Sequence, residues 1–240
     1  MTNTALTANL GTLLHLIDPT LPIGGFNHSN GLETFVQQGV VKDAATLGEY
    51  VKVQLSQNWV YNDGAYMSLV YDAAINENLD QAVAQIIELD EQQGACKCAR
   101  EMRDGSYKLG QRLLKIFIRA PEFAQSVLLQ KLVQAMQEGR MSGYYPSLFG
   151  TIACIGKMDK AQAVHAFYYN MCVGVVTNGV KLIPLSQMAG RDLMFDLREH
   201  IVAVLPQTLA PDARYLGACT VAQDIRAMAH ERLYSRLYMS

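Results

Sequence analysis

The sequence is short of charge. Lys, Arg, Asp and Glu make up 18% of its 240 residues, while 50% are hydrophobic; ordinary globular chains carry about 25% charge. That combination predicts apolar surface covered by something other than water, and so a subunit interface. The net charge is −2, so no bulk field draws the chain to nucleic acid or to an anionic membrane. No apolar run reaches the ~18 residues that a membrane helix needs. The start, Met1-Thr2-Asn3-Thr4, has none of the positive residues of a secretion signal. Five cysteines are an odd number without the density of a disulfide scaffold. Together these absences predict a cytoplasmic protein with reduced thiols. No repeat, low-complexity run or linker divides the chain, so residues 1–240 are expected to form one domain.

The motifs of common catalytic sites are missing too. Leu21-Pro22-Ile23-Gly24-Gly25-Phe26-Asn27-His28-Ser29-Asn30-Gly31-Leu32-Glu33 superficially resembles a phosphate loop. A Walker loop needs Lys followed by Ser or Thr, and none follows Gly31. A dinucleotide fingerprint needs a preceding strand, and here a helix-like run ends at Asp18-Pro19. Cys96-Lys97-Cys98 is C-x-C rather than C-x-x-C, and no second pair follows at finger spacing. His230-Glu231 is not the H-E-x-x-H zinc motif, because Tyr234 stands where the second His belongs. No convergent nucleophile, base or metal set emerges; catalytic and metal-ligating residues are both expected to be none.

What is present is helical periodicity. Leu10, Leu13, Leu14 and Ile17 share a face up to Asp18-Pro19. The glycine turn can be read as an ordered reversal, with Ser29 or Asn27 capping a helix from about residue 29 to 38. Asp43 is a good N-cap for a third helix carrying Leu47, Tyr50, Val51, Leu55 and core Trp59. Asn62-Asp63-Gly64 restarts the chain, and Leu79, Val83, Ile86 and Ile87 mark the next helix. A long helix spans roughly 99–114, where Gly105 and Gly110 would permit close helix contact. Its arginines are either a solvated face or a partner surface. One amphipathic helix should run from Pro121 to about Glu138, an apolar one follows Tyr144-Tyr145-Pro146, and the most apolar spans 160–180. Lys181 lies beside apolar residues and should snorkel or meet a carboxylate. A helix from Leu193 should stop at Pro206. In the tail, Leu233 with Leu237 and Tyr234 with Tyr238 would form two rows if residues 231–240 are helical. The fold class is therefore all-α, about ten helices around one core.

Several of these segments resemble one family. Pro22-Ile23-Gly24-Gly25-Phe26 followed by Ser29-Asn30-Gly31-Leu32-Glu33 is similar to the N-terminal signature of the urease accessory protein F (UreF) family. The Leu109–Leu114 stretch, Tyr144-Tyr145-Pro146-Ser147-Leu148-Phe149-Gly150 and Lys181-Leu182-Ile183-Pro184-Leu185 resemble its middle. The ending His230-Glu231 with Tyr234-Ser235-Arg236-Leu237-Tyr238-Met239-Ser240 resembles its C-terminal pattern. The family usually carries a histidine before the aromatic-Pro element, and here Tyr144 or Tyr145 occupies that place.

The resemblance implies an accessory protein rather than an enzyme. It would join a urease accessory protein D/H partner and the UreG GTPase, and through that complex act on urease apoprotein for GTP-dependent nickel insertion. It further implies a homodimer that organises the GTPase pair, with no cofactor of its own and no dedicated nickel site. The partner-binding residues it points to are Pro22, Gly24, Gly25, Phe26, Ser29, Gly31, Glu33, Lys181, Arg226, His230, Glu231, Tyr234, Arg236, Leu237 and Tyr238. The 226–240 tail is expected either to dock on its own core or to be captured by the D/H partner as a helix in a groove. Two other classes remain open on the residues alone: a helical nickel metallochaperone using Cys96 and Cys98, and a helical enzyme using Lys181, His165 or Cys172.

Overall fold

The computed structural model describes residues 3–239, with side chains from residue 9 onward apart from that of Phe26. Among the described residues there are twelve α-helices and no strand. They are α1 (Asn3–Leu16), α2 (Leu32–Gln37), α3 (Ala44–Val53), α4 (Asp63–Ala74), α5 (Leu79–Cys96), α6 (Arg100–Phe117), α7 (Pro121–Ala124), α8 (Val127–Gln137), α9 (Tyr145–Ile155), α10 (Lys160–Leu182), α11 (Gln187–Leu209) and α12 (Val221–His230). A short 3-10 turn occupies Gly25–Asn27, and a π-helical turn, Gln54–Trp59, follows α3 directly. No helix among the described residues is long and apolar enough to cross a membrane.

The packing centres on α9, which buries Tyr145 through Ala153 without interruption and lies against α4 and α6. Charged residues are absent from its sequence, which favours an interior position. α10 packs along α11 and touches α3, α4 and α9. Its Phe167 stacks with Tyr145 and meets Phe149 edge-on at 5.0 Å. A smaller apolar cluster of Tyr66, Val70, Ile86, Leu89 and Leu132 fills the space between α4, α5 and α8. The close approach of α6 to α9 depends on Gly110, where an added Cβ would overlap the backbone carbonyl of Gly143. Asp90, fully buried on α5, accepts hydrogen bonds from the backbone N–H groups of Ser142, Gly143 and Tyr144, each at 2.9 Å. Three such donors satisfy a carboxylate that burial would otherwise penalise, and they set the entry into α9.

The all-α expectation holds, and Asp43 caps α3 through a reciprocal box with Thr46. Four local expectations do not hold. The second helix starts at Leu32 rather than near Ser29, because Asn30 (φ 51°) and Gly31 (φ 85°) are left-handed and postpone the helix. The helix after Pro121 is broken in two, with Ser126 capping the second piece at Leu129 N, 3.4 Å. α11 runs through Pro206 to Leu209. Burial of Ile201, Val204 and Thr208 on either side holds it, as does Lys160 Nζ on the terminal Leu209 carbonyl at 2.9 Å. Residues 231–239 are turns, bends and irregular chain, not helix.

Candidate functional site

The glycine turn and the C-terminal segment form a single site. Leu21 and Ile23 are buried and anchor the turn, and Arg112 Nη1 on α6 donates to the Ile23 carbonyl at 2.9 Å. Gly24 has φ 80°, which an L-residue adopts only at a cost of roughly 1–2 kcal/mol, and the Arg112 guanidinium occupies the place its Cβ would take. The following carbonyls then point at distant partners. That of Asn27 accepts Met239 N at 2.8 Å, that of His28 accepts Asn178 Nδ2 at 2.8 Å, and that of Asn30 accepts Gln223 Nε2. Gly31 lets α12 approach, its missing Cβ lying 3.3 Å from Ala227 Cα.

Beneath the tail sits a buried charged cluster. His230 is fully buried at the end of α12. Its Nε2 lies 3.1 Å from Glu33 Oε2 on α2, and its Nδ1 lies 2.7 Å from Glu101 Oε2 on α6. Glu33 also accepts from Leu237 N at 2.7 Å and Tyr238 N at 3.2 Å. Arg236 Nη1 donates to Glu101 Oε1 at 2.7 Å. The tail is thus bound by its backbone and by Arg236, while Tyr238 is buried and Tyr234, Leu237 and Met239 face outward. The expectation of a tail helix with two stacked rows is corrected here: the carboxylate of Glu33 takes the amides of Leu237 and Tyr238 that a helix would have used.

A polar relay supports the cluster. The π-helical turn directs Gln54 and Asn58 inward. Asn58 Nδ2 donates to Gln54 Oε1 at 2.8 Å, and Gln54 Nε2 donates to Gln223 Oε1 at 2.9 Å. Tyr50 OH also donates to Gln223 Oε1, at 3.1 Å. Gln223 in turn reaches the Asn30 carbonyl, so α3, the π turn, α12 and the glycine turn share one chain of hydrogen bonds. Beside it lies a cavity of about 130 Å³ lined in part by His28, Tyr50, Gln54, Asp63 and Lys97. Lys97 Nζ and Asp63 Oδ1 form a largely buried ion pair at 2.7 Å in its wall. Burial holds His28 below the ordinary imidazole range, helped by Lys108 and Arg112.

Of the residues singled out from the sequence, Ser29, Gly31, Glu33, His230, Arg236, Leu237 and Tyr238 come together here. Ser29 Oγ accepts from Glu33 N at 3.4 Å. Gly24 and Gly25 shape the turn, and Pro22 is exposed beside it. Arg226 lies over the Phe35 ring at 4.5 Å, and Glu231 pairs with Arg100 at 2.8 Å on the surface. The Phe26 side chain lies outside the described residues. Lys181 stands apart, exposed on the last turn of α10. It pairs with no carboxylate among the described residues, so of its two expected fates solvent exposure is the one observed. Glu101 and Gln223 were not anticipated: each sits in a polar stretch that reads as a solvated helix face, and only tertiary packing buries Gln223 and half-buries Glu101.

The residues of the rival readings do not assemble. Cys172 is buried in the core and its thiol is pushed up by burial; His165, also on α10, is lowered by the same cause. α5 ends at Cys96, whose Sγ meets Tyr66 OH at 3.5 Å, while Cys98 is exposed beyond it. Among the described residues no three His, Cys, Asp or Glu side chains are grouped to hold a metal ion. Tyr145, at the family's histidine region, is buried and bonded to Asn170 Nδ2 at 2.9 Å, and burial pushes its hydroxyl up.

Outward of the cluster, α12 and the tail carry exposed apolar side chains. Val221, Ile225 and Met228 on α12 are exposed at helical spacing, and Tyr234, Leu237 and Met239 continue them. A helical body whose few buried carboxylates and histidines are taken up in structural bonds, and which exposes an apolar strip, is suited to a protein that works through contact.

The sequence comparisons name the kind. The UreF family profile matches residues 41–198. A urease accessory protein UreF of Haemophilus influenzae (strain ATCC 51907 / DSM 11121 / KW20 / Rd) is 59% identical over 238 residues, covering 99% of this chain and 98% of that protein. Its counterpart in Actinobacillus pleuropneumoniae serotype 5b (strain L20) is 58% identical over 231 residues, covering 96% and 99%. A Streptococcus salivarius (strain 57.I) UreF is 27% identical over 228 residues, covering 95% and 93%. The chain belongs to the UreF family of urease accessory proteins, which are not themselves enzymes.

Proposed function

We propose that this chain is a cytoplasmic scaffold for urease maturation. It joins a D/H accessory partner and the UreG GTPase, so that GTP-dependent nickel insertion into urease apoprotein proceeds within the complex. The D/H partner docks on the apolar strip of α12 and residues 234–239. The observation that carries this reading is the strip itself: six large apolar side chains, Val221, Ile225, Met228, Tyr234, Leu237 and Met239, are exposed on one continuous segment whose backbone is fixed from beneath by Glu33. A pre-ordered apolar strip loses little conformational entropy on binding, which favours affinity. The segment is presented as a bonded edge rather than as a free helix entering a groove.

Self-association has support of its own. Met188, Phe195 and Val202 are exposed on α11 at seven-residue intervals, a stripe suited to pairing with the same stripe on a second copy.

Removing the whole tail is a poor test, because it strips buried Glu33 of the Leu237 and Tyr238 amides and Glu101 of Arg236. The double substitution Tyr234→Ser with Leu237→Ser touches only outward side chains. It should leave helix content unchanged, abolish co-purification with the D/H partner, and stop nickel loading of urease. Undiminished co-purification of this folded variant would remove the tail from the interface.

A further inference from the structure

The bonds to His230 carry a requirement of their own. Both of its ring nitrogens face carboxylate oxygens, Glu33 Oε2 at 3.1 Å and Glu101 Oε2 at 2.7 Å. An ionised carboxylate only accepts, and a neutral imidazole has hydrogen on one nitrogen alone. A neutral ring would set a lone pair against a carboxylate at one of these two contacts, inside a site where the ring is wholly buried. Charge balance points the same way. Arg236 pairs with the half-buried Glu101, so the buried Glu33 has no positive partner unless the ring supplies one.

We propose that His230 is held as an imidazolium that latches residues 231–239 to the body, so that presentation of the tail face depends on a bound proton. The latch has three parts. The charged ring draws Glu33 and Glu101 into fixed positions between α2, α6 and α12. Glu33, so positioned, receives the amides of Leu237 and Tyr238. Glu101 receives Arg236. Loss of the ring proton leaves one of the carboxylates facing a lone pair and loosens the 236–238 stretch, leaving the tail to Met239 N on the Asn27 carbonyl at 2.8 Å and Gln37 Nε2 on the Ser235 carbonyl at 2.9 Å.

The surrounding charges do not substitute for that proton. Arg100 is engaged with Glu231 at the surface. Arg112 is engaged with the Ile23 carbonyl. His28, which feels Glu101 across the turn, is itself biased toward its neutral form by burial and by Lys108 and Arg112. The Tyr238 hydroxyl is raised by burial and by Glu33, and so stays neutral. The sign follows from the contacts: the latch needs the ring proton and two ionised carboxylates together, so raising the pH until the ring loses its proton opens it. It concerns this chain alone and stands whatever partner the tail meets.

The test uses the full chain, without partners. Ring-nitrogen NMR of His230 should show both nitrogens protonated while the tail is docked. Amide hydrogen exchange, corrected for its intrinsic pH dependence, should show Leu237 and Tyr238 losing protection by about tenfold or more between about pH 6 and about pH 9. Core amides such as that of Ile152 should stay unchanged. Glu101→Gln is the decisive variant. Its carboxamide can donate to Nδ1 and still accept from Arg236, so a neutral ring satisfies both contacts. The tail amides of this variant should stay protected across the whole range. A singly protonated ring in the docked chain, pH-independent protection of the wild type, or pH dependence retained by Glu101→Gln would each overturn the latch.

Discussion

At the scale of single residues, adjacent glycines have different duties. Gly24 is left-handed with the Arg112 guanidinium where a side chain would stand; Gly25 has no positive φ, and its nearest neighbour is Leu109 Cδ2 at 4.0 Å. Gly24→Val should therefore destabilise by about 2 kcal/mol or more, combining the left-handed penalty with displacement of Arg112 from the Ile23 carbonyl. Gly25→Ala should change stability by no more than about 0.5 kcal/mol. Denaturant titration of the two variants checks the pair, and equal losses at both positions would show that the turn is not read residue by residue. The sequence made glycine's backbone role at this turn plain, because Gly-Gly after Pro22 has few other uses. Which of the two glycines is constrained was not legible, because that depends on Arg112, 88 positions away in the chain.

At the scale of elements, the helices declared themselves through their apolar spacing and caps, and the joints between them did not. Asp43 announces α3, which Thr46 completes as a reciprocal cap, and the apolar run at 160–180 announces α10. Pro206 argued for a stop, yet α11 continues because the buried residues on either side outweigh one lost hydrogen bond. The π-helical turn at Gln54–Trp59 left no mark in the sequence; what it achieves is to aim Gln54 and Asn58 at Gln223. Gln223→Leu should expose the weight of that joint. It leaves the Tyr50 hydroxyl, the Gln54 amide and the Asn30 carbonyl without their partner, at roughly 1–3 kcal/mol for each buried group left unmet. We expect a loss of about 3 kcal/mol, with hydrogen exchange speeding first in α12. A change below about 0.5 kcal/mol would mean that water takes over these bonds without penalty.

At the scale of the whole molecule, the shortage of charge at first suggested a covered surface without saying where. The structure locates two apolar stripes, one on α11 and one along α12 and the tail. The family was legible from the two ends of the chain. Their meeting was not: Glu33 and His230 are 197 positions apart, and nothing in either local sequence says that one will hold the other. In our reading the body and the tail have separate tasks. Glu33, Glu101, His230 and Arg236 hold the segment down, and Tyr234, Leu237 and Met239 face the partner.

That division is tested most directly by the hydrogen-exchange footprint of the D/H partner on the full chain. The account predicts new protection concentrated at residues 221–239, with the exposed face of α11 around Phe195 unchanged by this partner. Protection centred on α11, with residues 221–239 exchanging as they do in the free chain, would contradict it.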